Sequence, residues 1–394
     1  MIVGILGGGQ LARMLVLAGT RLGLRFRVWE PSPDAGTTEI APTIHSAFDD
    51  AHALSNFVRN LDSCTLEFEN VPASLAESIA ALGVPMRPSA TALSVAQDRL
   101  SEKTLFQRLG IPTPRFAPVD SIADLRAAIS SIGTPGVLKT RRLGYDGKGQ
   151  CVIKSASQLD EAWASLNAPA SDAALIYEQF ITFSRELSIL GVRSSQGAGG
   201  QVRCYTLTEN HHASGILRLS IAPAPRVSPE LQSHAESLVQ RLMSELDYVG
   251  VMALELFESA DTSGGVGASL IANEIAPRVH NSGHWTIDGA ATSQFENHLR
   301  AVVGLPLGDC ACTGHSAMVN VIAQMPETHA SCAIPFLRVH DYAKKSRAGR
   351  KVGHLNVVAP DAIELHRRLI ELRNANLVGV DLSALDKVAF EPSP

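Results

Sequence analysis

The chain is short of cysteine, of charge blocks and of long apolar runs. Six cysteines in 394 residues are too sparse for a disulfide scaffold. Cys310 and Cys312 stand close in DCACTGH, but no second ligand pair follows at zinc-like spacing, so ordinary reduced thiols are expected. No Lys/Arg run reaches five residues and the formal net charge is −5. A nucleic-acid partner would need a basic stripe, so none is expected. The opening apolar run is cut by three glycines, and no basic segment precedes it. Neither a signal peptide nor a membrane span is expected, and the reading is a cytoplasmic enzyme. Charged residues make up 19% and hydrophobic residues 45%, a globular composition. The length predicts two or three domains.

What is present begins with MIVGILGGGQLARML. Gly7, Gly9 and Ala12 fit the G-x-G-x-x-G/A dinucleotide fingerprint, and Glu30 ends the next strand-like run where that fingerprint wants an acid. Strand-like and helix-like segments alternate as far as VPMRPSATAL, which predicts a parallel sheet flanked by helices. HSAFDDAHALSNFVRN reads as a helix, and so does AQDRLSEKTLFQRLG. IPTPRFAP then breaks regular structure. A small strand–Gly-loop–strand unit follows, of a size to move as a lid. RELSILGVR, YVGVMALELF and SLIANEIAP show period-two alternation and predict an antiparallel sheet. The expected class is α/β and α+β. Residues 1–97 form a Rossmann-like domain, 98–315 a sheet domain with a lid at about 112–176, and 316–394 a C-terminal domain.

Several clusters carry chemistry. Gly144, Gly147 and Gly149 punctuate Tyr145, Asp146 and Lys148 after Lys139. Glycines let backbone N–H groups approach phosphate oxygens, yet a basic hairpin reads equally well from the loop alone. The spacing is not that of a P-loop. Glu255 and Glu274 sit in apolar runs, where a carboxylate is costly unless paired or metal-bound. With Asn273 they would suit Mg²⁺ bridging phosphates. Adjacent Asn273 and Glu274 should face opposite sides of a regular strand. The strand must therefore end or distort there, or one of them is no ligand. NEIAPRVHNSGHWTIDG packs donors densely, and KKSRAGRKVGH could clamp an anion or be a solvated turn.

The motifs GGGQL, GYDGKGQ, GVMALELF, NEIAPRVHNSGHWT and GRKVGHLN occur here in one order. The chain resembles the 5-(carboxyamino)imidazole ribonucleotide synthase family of ATP-grasp ligases, over almost its whole length. Ala12 stands where the family pattern has glycine. The resemblance implies ATP- and bicarbonate-dependent carboxylation of 5-aminoimidazole ribonucleotide through carboxyphosphate, with Mg²⁺ (or Mn²⁺) and a homodimeric state. It implies that Arg99 and Lys139 contact ATP phosphates and that Gly144 to Gln150 cover them. Glu178, Gln179, Phe180 and Ile181 form the adenine hinge. Glu186 takes the ribose with His212, or its neighbour His211, and Glu255 and Glu274 hold metal beside Asn273. Gly9, Gln10, Leu11, Tyr145, His280, Asn281, Ser282, Lys344, Arg350 and Lys351 face the ribonucleotide. Asp146, Arg278 and Lys351 carry the chemistry. The Gly loop at the N-terminus is then expected to hold the substrate 5′-phosphate, or to be an empty inherited pocket. Two other readings are a formate-activating relative and a nicotinamide-dependent oxidoreductase.

Overall fold

The computed structural model describes residues 1–144, 149–167, 174–195, 200–259 and 269–390. Tyr145, Asp146, Gly147 and Lys148, and the Gly/Ser segments 196–199 and 260–268, lie outside the described residues. The chain opens with β1 (Ile2–Leu6), α1 (Gln10–Thr20), β2 (Arg25–Trp29), β3 (Thr43–Ile44), α2 (Ala51–Val58), β4 (Ser63–Leu66) and α3 (Ala73–Ala81). The four strands form a parallel sheet in the order β3-β2-β1-β4. Covered on both faces, β1 buries Val3, Ile5 and Leu6 alike, which is why it reads as a continuous apolar run. α2 starts later than the helical pattern suggests. Asp50 accepts from the His52 and Ala53 N–H groups and caps it there.

α4 (Ala90–Ala96) and α5 (Arg99–Arg108) connect to the lid. α5 begins at Arg99 because Asp98 accepts from the Leu100 and Ser101 N–H groups. The lid contains β5 (Phe116–Val119), α6 (Ile122–Ile132), β6 (Gly136–Thr140), β7 (Gln150–Ile153), α7 (Leu159–Asn167) and β8 (Leu175–Gln179). Its sheet runs β5-β8-β6-β7. The proline-rich IPTPRFAP, expected to lack regular structure, contributes β5. An edge strand tolerates Pro118, whose missing N–H faces no partner.

The large sheet is built from β9 (Arg185–Arg193), β10 (Val202–Cys204), β11 (Thr208–Ala213), β12 (Ile216–Ala222), α8 (Pro229–Glu245) beneath it, β13 (Gly250–Ser259) and β14 (Ser269–Ala276). After α9 (Thr286–Gly289) and α10 (Gln294–Val302) come β15 (His315–Ile322), α11 (Thr328–Cys332), β16 (Leu337–Asp341), β17 (Lys351–Ala359) and α12 (Ala362–Asn374). The strand order is β14-β13-β9-β11-β12-β15-β17-β16, all antiparallel, with β10 on β9. β15 pairs with β12, so the chain beyond 315 extends the same sheet and shares a core with Leu219 and Ile221.

Helix α10 lies between the two main sheets. The His298 Nδ1 accepts from the Val251 N–H at 3.0 Å, so Nε2 carries the hydrogen and donates to Thr65 Oγ1 at 2.8 Å. Burial depresses this ring to about 4, and it bridges β4 to β13 as a neutral imidazole. The carboxyl ends of the parallel strands, the usual ligand side of such sheets, thereby lie toward the large sheet, where Glu69 meets Arg278.

Candidate active site

Glu255 on β13 lies directly opposite Glu274 on β14. One step along, Leu256 pairs with Ala272, which leaves Asn273 as the extra residue of a β-bulge. The strand therefore distorts where the alternation of Asn273 and Glu274 required it. Arg99, the first residue of α5, donates to Glu274 at 2.7 Å. Burial opposes ionisation of Glu274, but Arg99 first, then Lys139 and Lys103, hold its carboxyl down at about 2.

Beside this pair, the Lys139 Nζ on β6 donates to Glu178 Oε2 on β8 at 2.9 Å, and the Lys103 Nζ lies 3.6 Å from the same oxygen. Glu178 and Lys103 are both essentially inaccessible to water. Burial disfavours charge on Glu178, but the two ammonium groups outweigh it and keep it below the usual carboxylate range. Removing one partner of a pair buried this deeply costs about 3–5 kcal/mol. The second Glu178 oxygen is buried with no hydrogen-bond partner among the described residues. Following Glu178, Gln179 donates its N–H to Arg115 C=O and Phe180 to Pro135 C=O. The Phe183 and Phe257 rings stack at 4.5 Å and 9°, and Phe180 and Phe183 are part-exposed. A flat apolar ligand edge would find these rings ready-made.

On the next strands, a second register shift separates His211 from His212. His212 Nδ1 meets Glu186 at 3.0 Å, whereas His211 turns to Glu209 at 3.0 Å. Burial works against charge on His212, but the bond and charge of Glu186, with Glu255, together outweigh it and raise its pKa. Of the two adjacent histidines, it is His212 that joins Glu186.

The donor-rich loop after β14 splits in two. His280 Nε2 reaches Glu255 at 3.1 Å, which ties it to the acidic pair. Asn281 and Ser282, expected at the ribonucleotide, turn inward instead. The Asn281 amide exchanges hydrogen bonds with Asn320 at 3.2 and 2.8 Å. The buried Ser282 hydroxyl sits between Ser188 (2.8 Å) and His280 Nδ1 (2.9 Å). Gln294 binds both the N–H and the C=O of His280. Those inner residues hold the His280 ring in place. Arg278 forms an ion pair with Glu69 beyond β4.

The Gly loop is not empty. The Gly9 N–H donates to Glu67 Oε1 at 2.8 Å, and Leu11 and Ala12 donate to Oε2 at 3.1 and 3.2 Å. Gly8 donates to Glu30 at 2.8 Å. The expectation of a phosphate or a vacant pocket at these N–H groups is corrected: the chain's own carboxylates take them. A carboxylate at the end of the neighbouring strand reaches the helix N-terminus without any association cost. Gly9 is required by this approach, since a Cβ there would stand 2.4 Å from Glu67 Oε1. Leu11 points into the core. Gln10 accepts from Lys344 of the basic turn. Burial, with Arg350, Arg347 and Lys351 nearby, lowers Lys344 to about 8 against the attraction of Glu67. Lys345 instead pairs with Asp34 at 2.9 Å on the surface.

The structure thus links Arg99, Lys139, Glu178, Glu186, His212, Glu255, Asn273, Glu274, Arg278, His280, Gln10 and Lys344 through neighbouring contacts and charges. Gly144, Gly149 and Gln150 flank the lid loop, whose central residues lie outside the described set. Sequence reasoning missed Glu67, Glu69, Glu102, Lys103, Phe257 and Gln294. For Glu67 and Glu69 a signal existed: two acids at the carboxyl end of a parallel strand, where open sheets bind ligands.

Three family models match in chain order. A ribonucleotide synthetase preATP-grasp domain covers residues 1–97, an ATP-grasp domain 104–295, and a phosphoribosylaminoimidazole carboxylase C-terminal domain 316–368. N5-carboxyaminoimidazole ribonucleotide synthase of Pseudomonas aeruginosa is 47% identical over 374 residues, covering 94% of this chain and 98% of that protein. The chain belongs to the N5-carboxyaminoimidazole ribonucleotide synthase family. Its fold is similar to the N5-carboxyaminoimidazole ribonucleotide synthetase of Thermus thermophilus, with a TM-score of 0.88, 47% identity and coverage of 96% and 99% of the two chains. It is also similar to the Aspergillus clavatus synthase in complex with ADP and 5-aminoimidazole ribonucleotide, with a TM-score of 0.84, 29% identity and coverage of 95% and 98%. As a member of this family, the chain is an ATP-grasp ligase for the ATP-dependent carboxylation of 5-aminoimidazole ribonucleotide in purine biosynthesis. The dinucleotide fingerprint of its first thirty residues therefore marks a fold and not a nicotinamide cofactor.

Proposed function

We propose that this synthase phosphorylates bicarbonate with ATP and passes the resulting carboxyl group to the exocyclic amine of the ribonucleotide. Bicarbonate is a poor electrophile. Transfer of the γ-phosphoryl group to one of its oxygens gives carboxyphosphate and ADP. Loss of phosphate then delivers CO₂ to the amine. Such transfers rest on positioning and positive charge more than on a protein nucleophile. The observation that carries this reading is the Glu255–Glu274 pair at a bulge, facing Arg99 and Lys139.

Arg99 and Lys139 bind the phosphates, with Gly144 to Gln150 as their cover. Glu178 to Ile181 meet the adenine, with Phe183 and Phe257 beside it, and Glu186 and His212 hold the ribose. Two opposed carboxylates with an amide neighbour fit Mg²⁺, which keeps water and substrate phosphates as its other ligands and so needs no protein cage. Among the described residues no larger metal-binding cluster is found. Glu255 and Glu274 would hold Mg²⁺, or Mn²⁺, beside Asn273. Held there, it would supply positive charge for the transferring phosphoryl group. Arg99, now bonded to Glu274, would then be free to bind a phosphate oxygen. Arg278, His280, Arg350 and Lys351 address bicarbonate and the imidazole, with Gln10 and Lys344 toward the ribonucleotide phosphate. Asp146 steers the amine. The reading carries a homodimer in the cytoplasm, where ATP and the nucleotide pool lie. No helix among the described residues is long and apolar enough to cross a membrane.

The test is ADP release. It is expected to require 5-aminoimidazole ribonucleotide and bicarbonate together. ADP formation with formate and glycinamide ribonucleotide instead would replace bicarbonate activation by formate activation.

A further inference from the structure

Among the described residues β14 is the outermost strand of the large sheet, so one row of its backbone groups has no strand partner there. The bulge at Asn273 disturbs the ladder further. Helix α5 lies against that edge, and two adjacent side chains take up the freed groups. Glu102 accepts from the Ile275 N–H at 2.6 Å. The Lys103 Nζ donates to Asn273 C=O at 2.5 Å, with Ala272 C=O at 3.5 Å. The Pro112 C=O and the Thr113 hydroxyl finish the row by binding Ala272. These contacts fall on both sides of Glu274. The Lys103 ammonium also lies 3.6 Å from Glu178, the residue that holds Lys139. Glu102 is 2% and Lys103 0% exposed, and their polar ends are spent on the β14 backbone and on Glu178. A buried lysine is expensive unless its donors are placed, and here each is aimed at the backbone or the acid that frames the site.

We propose that Glu102 and Lys103 are positioning residues of this ligase: they complete the backbone of β14 around its bulge and so fix Glu274 relative to Lys139. The proposal rests on the reading above that Glu274 acts at the metal and phosphates. Lys103 serves two registers at once, the bulge carbonyls and Glu178, and thereby sets the spacing between the acidic pair and the phosphate lysine. Glu102 anchors the residue following Glu274. A misplacement of about 1 Å in such a constellation costs on the order of 10²-fold in rate.

The experiment compares the full-length enzyme with Lys103→Met, Glu102→Leu, Glu102→Gln and Glu274→Gln. Steady-state kinetics, thermal melting and calorimetric ADP binding with and without Mg²⁺ are recorded for each. Lys103→Met is expected to lose about 100-fold in kcat, with the KM for the ribonucleotide within twofold, and to lose at least tenfold of the tightening of ADP by Mg²⁺. Glu102→Leu, which removes the acceptor for Ile275, falls at least tenfold further than Glu102→Gln, which keeps one. That pair is read in parallel, so the proposal can still fail if Lys103→Met does not fold. A folded Lys103→Met with kcat and Mg²⁺-dependent tightening within threefold of the parent overturns the proposal, as do Glu102→Leu and Glu102→Gln of equal activity. Full activity in Glu274→Gln instead overturns the assignment of Glu274 itself.

Discussion

Two regions of this molecule present groups suited to an anion, and they treat them differently. At the N-terminus of α1, three backbone N–H groups close on Glu67 and a fourth on Glu30. At the start of α5 and on β6, Arg99 and Lys139 are paired with Glu274 and Glu178 through side chains. Backbone donors are fixed, and the carboxylate they hold is part of the fold. The Arg99–Glu274 side-chain pair could exchange partners for a phosphate and a cation, and Glu178 would keep Lys103 beside it if Lys139 turned to a phosphate. Similar electrostatics can thus be a closed structural device in one place and an open site in another. The mobility of the donors decides which.

The largest expected effect breaks the open site. Glu274→Ala should lower kcat by roughly 10³-fold, the order of losing one transition-state charge stabiliser, while its circular dichroism stays that of the parent. Near-parental ADP release would mean that the acidic pair is not the metal site.

The next breaks the closed one. Gly9→Ala puts a methyl group 2.4 Å from Glu67 Oε1 at a backbone conformation that alanine also adopts (φ −78°, ψ −159°). The carboxylate must move and its N–H partners lose it, at a cost of about 1–3 kcal/mol. Urea unfolding that shows no change in midpoint would contradict the fixed Glu67 contact.

The smallest effect sharpens the boundary between the two. Lys344 touches Gln10 beside the closed loop, and it belongs to the basic turn assigned to the substrate. With its value lowered to about 8, it is charged below that pH and neutral above it. The KM for the ribonucleotide should therefore rise as pH passes upward through about 8, by up to tenfold, while the KM for ATP stays flat. A flat ribonucleotide KM from pH 7 to 9 would remove Lys344 from phosphate recognition.

Much of this was legible along the chain. The apolar run of β1, the period-two strands and the Gly-rich punctuation give a parallel sheet, a lid and an antiparallel sheet by local periodicity alone. The isolated acids in VMALELF and SLIANEIAP pointed to Glu255 and Glu274 because an apolar strand makes an unpaired carboxylate costly. Even the conflict at Asn273 was visible, as two adjacent side chains wanted on one side of a strand. The hydrogen bonds of Asn281 to Asn320 and of Ser282 to Ser188 were not legible, because a dense polar loop does not reveal where each of its members turns. Glu67 and Lys103 were missed for a related reason. Their partners lie more than fifty and more than 150 residues away, and nothing in the sequence states that distance in space.

Most elements, the family and the residue types gathered at the site follow from the chain read along its length, because periodicity and motif order are local properties. Only the tertiary structure decided that the glycine loop closes on Glu67, that His212 and not His211 meets Glu186, and that a bulge sets Glu274 against Glu255. Each of those outcomes depends on which backbone group lies within about 3 Å of which side chain, and chain folding alone fixes that.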